Sequence, residues 1–187
     1  LFIGLFVPFG VFYLKNLLDT KIHNKDDLEQ EIKNITVLGE IPKIKSYDKI
    51  LVEYNDRSIL SESFRIIRTN LDFIRRGRDT KKYGNVIFVT STINAEGKSF
   101  ISLNMALTIA NTNKRVLLIG ADIRNPQIYS AIKNQKDKVV SKVGLTEFLA
   151  DKSIILGEAI NSYKVNNINI DILLSGKVPP NPAELLM

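Results

Sequence analysis

Apolar residues along this chain occur either as continuous runs or at helical spacing. Continuous runs at residues 86–90 and 116–121 are typical of parallel strands covered on both faces, and residues 168–174 predict a third strand with some alternation. Residues 98–113 are apolar almost all round, which predicts a helix buried beside the sheet. A strand, a helix and a strand joined by short links form a right-handed βαβ unit. We therefore predict the α/β fold class, with a doubly wound and mostly parallel sheet.

Helical spacing is clearest at residues 56–76, where apolar side chains recur every three or four positions. These side chains are Leu60, Phe64, Ile67, Leu71 and Ile74. Shorter elements are predicted at residues 15–33 (a polar helix with Asn24 as N-cap), 37–42 (a strand ended by Pro42), 146–150 (a helix) and from Asn181-Pro182 (a helix start). The charged residues 43–55 are interpreted as a connector.

Residues 1–14 contain only apolar side chains, glycine and proline, apart from the hydroxyl of Tyr13. Because about 20 residues are needed to cross a bilayer, we interpret this stretch as the end of a transmembrane helix. A buried core helix is the alternative. The basic side chains that follow, from Lys15 to Lys25, favour a cytoplasmic location for the rest of the chain.

The chain opens on Leu1, and Met187 interrupts a helix that has barely begun, so we interpret it as a fragment cut at both ends. The predicted domains are the end of a transmembrane helix (1–14), a juxtamembrane linker (15–55) and a domain truncated at its C-terminus (56–187).

The net charge of +6 suits an anionic partner such as lipid, a nucleotide or nucleic acid. No segment alternates aromatic and basic residues as a single-strand binding surface would, so nucleic acid is not a predicted partner. The absence of cysteine excludes disulfides, thiolate metal sites and cysteine nucleophiles. His23, the single histidine, cannot form a metal cluster alone.

The strongest chemical signal is the loop between the first predicted strand and its helix, which reads Asn94-Ala95-Glu96-Gly97-Lys98-Ser99-Phe100. Backbone N–H groups and the positive end of a helix would surround a phosphate here. Lys98 would reach the β- and γ-phosphates of a nucleotide, and the Ser99 hydroxyl would hold Mg²⁺. Ser91 stands where the usual G-x-x-x-x-G-K-[ST] pattern has its first glycine, which indicates a variant loop. The alternative is an ordinary helix start in which Gly97 happens to precede a lysine.

A second cluster, Asp122 and Arg124, follows the second predicted strand, where open α/β sheets bind their ligands. The Asp122 carboxylate could orient water on Mg²⁺ or accept a proton, and Arg124 could offset charge on a transferring phosphoryl group. In the alternative, Asp122 only caps a turn and Arg124 is a surface residue.

A third group, Glu62, Arg65 and Arg68, forms a charged stripe at spacings of three on the helix predicted at 56–76. Spacing alone favours an intrahelical ion pair and a solvated face, which contributes a few tenths of a kcal/mol. A docking surface for a neighbouring subunit is the other interpretation.

With these features the chain resembles the bacterial tyrosine kinases (BY-kinases) of exopolysaccharide and capsule synthesis, a P-loop family related to MinD and ParA. The resemblance is carried by five motifs in order, at residues 62–71, 89–99, 121–126, 144–149 and 176–186, and by a membrane helix and linker at 1–42. In this resemblance Lys98 and Ser99 match the Walker A phosphate and Mg²⁺ residues, and Asp122 matches the second aspartate of the Walker A′ motif. Glu62, Arg65 and Arg68 match the E-x-x-R-x-x-R subunit-contact motif, which shifts our interpretation of that stripe to an interface.

The resemblance implies an ATP- and Mg²⁺-dependent protein tyrosine autokinase coupled to polysaccharide chain-length control and export. It implies a homo-oligomeric ring at the bacterial inner membrane, with the kinase domain cytoplasmic. The implied partners are the polysaccharide polymerase and export machinery and a cognate tyrosine phosphatase.

Two departures from the family pattern matter. Asn94 stands where family members usually have proline, and Gly120 stands where they have the first aspartate of the Walker A′ motif. The family's Walker B strand and tyrosine-rich tail are expected beyond Met187, so the fragment is not expected to catalyse by itself. A non-catalytic, nucleotide-binding oligomerisation regulator is therefore the alternative function. A partition ATPase of the MinD/ParA type is disfavoured, because those proteins have lysine at the position of Ile93.

Overall fold

The computed structural model describes residues 2–19, 21–32, 34–44, 51–75, 84–133 and 143–185. The chain divides into two compact units, Leu1–Glu40 and Ile41–Met187.

The first unit contains helices α1 (Phe2–Leu17) and α2 (Lys25–Glu31). The predicted cap of α2 is confirmed, because Oδ1 of Asn24 accepts a hydrogen bond from the Asp27 N–H at 2.8 Å. The α1 side chains from Val7 onward are exposed, which disagrees with the alternative of a buried core helix. Among the described residues no helix combines the length and apolar character that crossing a bilayer requires.

Residues 37–42, predicted as a short strand, have no regular secondary structure. This prediction was wrong. Gly39 and Pro42 weaken a strand, and no described strand pairs with the segment.

The second unit is built on a sheet of three described strands, β1 (Leu117–Ile119), β2 (Ile160–Val165) and β3 (Ile168–Leu173), in the order β1-β3-β2. β1 runs parallel to β3, with Leu118 opposite Ile172, and β2 runs antiparallel to β3, with Tyr163 opposite Ile170. The α/β class is confirmed, whereas the described sheet is mixed and not mostly parallel.

The unpredicted strand β2 accounts for that difference. β2 and β3 form a hairpin across Asn166-Asn167, whose φ angles of 47° and 65° are those of a two-residue turn with both residues left-handed. Asparagine tolerates this backbone conformation better than most residues. A pair of asparagines between two alternating runs was the available signal, and it was missed.

The first predicted strand, residues 86–90, does not form in the structure. The segment lies outside any described ladder, and Val86 and Phe88 are 93% and 81% exposed. β1 pairs only with β3 among the described strands, so the segment has no hydrogen-bonding partner there. The βαβ unit is therefore present only as its helix and second strand.

The long helix α3 (Ile59–Arg75) packs against the long helix α4 (Lys98–Ala110), which in turn packs on β1 and β3. Both confirm predicted helices with shorter bounds. At the start of α3 the Ser61 N–H donates to the Ser58 hydroxyl, and the Asp56 carboxylate accepts from the hydroxyls of Ser58 and Ser61. The core joins these helices to the strands around fully buried side chains: Phe64, Leu103, Leu107, Val165 and Ile172.

Four short helices complete the unit: α5 (Ile128–Ile132), α6 (Leu145–Ala150), α7 (Leu156–Ala159) and α8 (Pro182–Leu185). α6 and α8 confirm predicted helices, whereas α5 and α7 were not predicted. A buried amide ties the region before α3 to α4, since Oδ1 of Asn104 accepts from the Val52 N–H at 2.8 Å.

Candidate functional site

The predicted phosphate loop leads into the N-terminus of α4, which begins at Lys98. Gly97 is the residue before the helix, and its φ of 87° lies in the left-handed region that favours glycine. A Cβ at Gly97 would meet no atom within 4 Å, so the backbone angle and not crowding is the reason for glycine here. The turn presents the free N–H groups of the first turn of α4 to a ligand.

The loop is closed by its own side chains. Nζ of Lys98 donates to Oγ of Ser91 at 3.0 Å, and that hydroxyl donates to the Ile93 carbonyl at 2.8 Å. On the other side, the Glu96 carboxylate accepts from the Ile93 N–H at 3.2 Å. Ser91, which stands at the position of the usual first glycine, thus holds the Lys98 amine across the loop.

A cavity of about 910 Å³ lies beside this loop. Lys98 and Ser99 line it together with Asp122 and the buried Ser175. One wall is formed by residues 84–90, and another by β1 with its continuation to Asp122. The structure thus brings together three predicted residues, Lys98, Ser99 and Asp122, on a single cavity.

Asp122 sits in the turn that follows β1. Its Oδ1 accepts from the backbone N–H groups of Arg124 at 3.2 Å and Asn125 at 2.9 Å. The carboxylate therefore does cap a turn, and both of these bonds are made by Oδ1. Arg124 is exposed and does not line the cavity.

The remaining predicted loop residues lie apart from the cavity. Asn94, Ala95 and Glu96 are exposed, and Ala95 has a φ of 66°. The Phe100 ring packs edge-on against Phe64, with centroids 5.9 Å apart, so its side chain belongs to the core. Only its backbone could face a ligand.

The charged stripe on α3 splits into two parts. Nε of Arg65 donates to the Glu62 carboxylate at 2.9 Å, the intrahelical pair expected from spacing. Arg68 instead donates to the Thr108 carbonyl of α4 at 3.3 Å, which ties the two helices together. Glu62 is exposed, whereas Arg65 and Arg68 are half-buried.

One polar cluster near the cavity had no predicted role. The Glu147 carboxylate accepts from the backbone N–H groups of Gly144 at 2.9 Å and Lys177 at 3.1 Å, and from the Thr146 hydroxyl at 3.1 Å. Burial alone would raise the pKa of the Glu147 carboxyl, but these hydrogen bonds outweigh it and leave the pKa below its ordinary value. A glutamate at the third position of a helix is a capping-box signal, and it could have identified this residue.

The oxygen atoms that line the cavity suit Mg²⁺ bound together with a phosphate better than a metal ion held by protein side chains alone. The described residues contain no group of three or more His, Cys, Asp or Glu side chains placed to hold a metal ion. Mg²⁺ commonly takes one or two protein oxygens and completes its shell with water and substrate phosphates. The Ser99 hydroxyl and the Asp122 carboxylate fit that requirement.

Comparisons with known proteins agree with this architecture. No family model matches the chain. The chain is 39% identical over 130 residues to the tyrosine-protein kinase YwqD of Bacillus subtilis, covering 70% of this chain and 50% of that protein. It is 31% identical over 204 residues to the tyrosine-protein kinase wzc of Salmonella typhi, covering 99% of this chain and 26% of that protein.

Among solved structures, the kinase domain of the Escherichia coli tyrosine kinase ETK superimposes with a TM-score of 0.70 at 28% identity. The match covers 88% of this chain and 63% of that domain. The fold is thus the α/β fold of a bacterial tyrosine kinase domain. The chain belongs to the bacterial tyrosine kinase (BY-kinase) family, and it spans a quarter to a half of the length of these two relatives.

Proposed function

We propose that this chain binds MgATP at the loop 94–100 and is part of an ATP-dependent protein tyrosine autokinase coupled to capsular or exopolysaccharide chain-length control. The observation that carries the proposal is the shared cavity of Lys98, Ser99 and Asp122 at the start of α4. The names of the relatives as tyrosine-protein kinases support the choice of reaction.

Each residue has a distinct task in this proposal. Lys98 exchanges its bond to Ser91 for the β- and γ-phosphates, while the N–H groups at the start of α4 hold the same oxygens. The Ser99 hydroxyl contributes an oxygen to Mg²⁺. Asp122, already fixed through Oδ1, uses Oδ2 to orient a metal-bound water or to take the proton of the attacking tyrosine. MgATP supplies the phosphoryl group itself.

Arg124 has the least direct role in the proposed reaction. Its side chain is exposed at the turn that Asp122 caps, so it contacts the phosphoryl group only if the turn closes over the nucleotide. Its positive charge would then offset negative charge that develops during transfer.

We place the protein at the bacterial inner membrane, with α1 as the end of a membrane anchor and the kinase domain in the cytoplasm. The exposed Glu62 and its helix would join neighbouring subunits into a ring. Polysaccharide polymerase and export proteins, and a tyrosine phosphatase, are the proposed further partners.

One observation favours a second function, a catalytically weakened regulator that binds nucleotide and controls assembly. A Cβ at Gly120 would lie 3.2 Å from the Ser175 backbone nitrogen, tighter than ordinary contact. A side chain at this position would therefore require the Ser175 backbone to shift by a few tenths of an ångström, and glycine avoids that close contact. This close packing suits a chain that works without that carboxylate.

The test is tyrosine autophosphorylation of the natural full-length protein with MgATP, next to a Lys98→Met variant. Lys152→Met is the matched control, because Lys152 is an exposed lysine outside the cavity. We expect phosphotyrosine in the natural protein and in Lys152→Met, and a loss of at least about 100-fold in Lys98→Met, since one phosphate ligand contributes several kcal/mol in the transition state.

A silent natural protein that still binds MgATP through Lys98 would favour the regulator. In that case phosphotyrosine that returns in a Gly120→Asp variant would identify the missing carboxylate as the cause. Nucleotide binding that is equally strong in Lys98→Met would contradict both functions.

A further inference from the structure

The turn at residues 175–177, here called the Ser175 turn, forms one side of the nucleotide cavity through Ser175. Ser175 is 5% exposed and lines the cavity together with Lys98, Ser99 and Asp122. Its backbone nitrogen lies close to Gly120, two residues before Asp122. The position of this turn therefore limits where the end of β1, and with it Asp122, can lie.

The Ser175 turn and the residue before it are hydrogen-bonded to α6. The Leu145 N–H donates to the Leu174 carbonyl at 2.8 Å, and the Thr146 N–H donates to the Ser175 carbonyl at 2.9 Å. Both bonds come from the first turn of α6. Whatever fixes that first turn also fixes the Ser175 turn.

Glu147 is the residue that joins the two. One carboxylate oxygen accepts from the Gly144 N–H and the Thr146 hydroxyl, within the start of α6, and the other accepts from the Lys177 N–H, within the Ser175 turn. A carboxylate offers two acceptor oxygens, and here they are divided between two separate segments. Gly176 lets the groups approach, because its φ of 84° favours glycine and a Cβ there would collide with Glu147 and Thr146.

We propose that Glu147 is a positioning residue for the nucleotide site, which holds the Ser175 turn against the end of β1 and so fixes Asp122 in the cavity. This inference rests on the proposed nucleotide binding. It assigns to Glu147 an effect on nucleotide affinity in addition to its cap on α6.

The test measures binding of fluorescent MgADP to the protein in its Glu147→Gln form. An amide has one acceptor oxygen and a donor NH₂, so glutamine keeps either the α6 cap or the Lys177 bond and not both. Glu158→Gln is the matched control, since Glu158 is an exposed carboxyl on α7 with no part in the cavity. We expect Kd to rise about 3- to 10-fold in Glu147→Gln and to stay unchanged in Glu158→Gln.

A double-mutant cycle distinguishes positioning from a general loss of stability. If Glu147 acts through the end of β1, the effect of Glu147→Gln on Kd becomes smaller in an Asp122→Asn background, because the positioned group is gone. Unchanged affinity in Glu147→Gln, or an effect that is fully additive with Asp122→Asn, would overturn the proposal and leave Glu147 as a helix cap.

Two further measurements keep the result interpretable. If Glu147→Gln does not fold, hydrogen exchange of the natural protein is measured instead. MgADP should slow exchange of the Lys177 amide, and an unchanged exchange rate would overturn the proposal. If nucleotide binding does not depend on Lys98, the proposed nucleotide function is itself wrong. The proposed role of Glu147 is then wrong as well, because it rests on that function. If nucleotide binding depends on Lys98 but its Kd is unchanged in Glu147→Gln, only the positioning role of Glu147 is contradicted.

Discussion

Two walls of the cavity beside the Lys98 loop differ in how they are held. One wall, residues 84–90, has no described ladder partner, and its Val86 side chain is 93% exposed. The other wall, β1 with the Ser175 turn, is bound to β3 and α6 by backbone hydrogen bonds, and Ile172 beneath it is fully buried. Both β1 and residues 84–90 are apolar runs, so hydrophobicity does not distinguish them.

The difference shows what an apolar run can and cannot specify. It gives a segment the capacity to be a strand, but a strand forms only when a neighbour supplies hydrogen bonds along its edge. β1 has that neighbour in β3, whereas residues 84–90 have none among the described strands. Stability should therefore concentrate in one wall, and mutations in the two walls should have unequal effects.

The largest expected effect compares Ile172→Ala with Val86→Ala. Ile172 is fully buried in β3, the middle strand of the described sheet, so its truncation should lower the free energy of unfolding by about 4 kcal/mol. Val86→Ala removes a side chain that already contacts solvent, and the loss should stay below about 0.5 kcal/mol. Urea unfolding of the two variants measures both values. Equal losses would show that residues 84–90 are packed in solution and that the comparison of the walls is wrong.

A somewhat smaller effect tests the close packing behind the Ser175 turn. A Cβ on Gly144 would lie 2.7 Å from the Leu174 carbonyl oxygen and would also collide with Gly176, both of them backbone atoms that cannot rotate away. Gly144→Ala should therefore cost about 3 kcal/mol in unfolding free energy. Gly157→Ala is the control, because its added Cβ meets no atom within 4 Å and should change stability little. A neutral Gly144→Ala variant would mean that the turn is loose.

The elements that could be predicted from the sequence are those whose signal is local. The periodicity of α3 and the Asn24 cap of α2 depend on residues within one or two helical turns, and both predictions are confirmed. The strand at 86–90 was wrong because strand formation depends on a partner far along the chain, which a single sequence does not specify. β2 was missed although its Asn166-Asn167 turn is a local signal.

The site follows the same division. The glycine before the helix and the lysine after it are one local motif, so Lys98 and Ser99 could be proposed from the sequence. The link from Glu147 to Lys177 spans thirty residues and depends on how α6 meets the turn after β3. No local pattern predicts that contact. The roles of Asp122, Arg124, Glu62, Arg65 and Arg68 stay predictions until the variants are measured.

The smallest expected effect concerns the carboxylate that holds the Ser175 turn. Hydrogen bonds keep the pKa of Glu147 below its ordinary value of 4.5, so the folded state favours the ionised form. A carboxyl with a lowered folded pKa stabilises the protein fully above that ordinary value, and the contribution disappears as the pH falls through the folded pKa. Glu147→Gln should therefore cost about 1 kcal/mol at pH 7 and progressively less below pH 4.5.

Urea midpoints from pH 7 to pH 3 for the natural protein, Glu147→Gln and Glu158→Gln give the comparison. If the difference in stability between the natural protein and Glu147→Gln stays constant with pH, the ionised carboxylate is not what holds this wall.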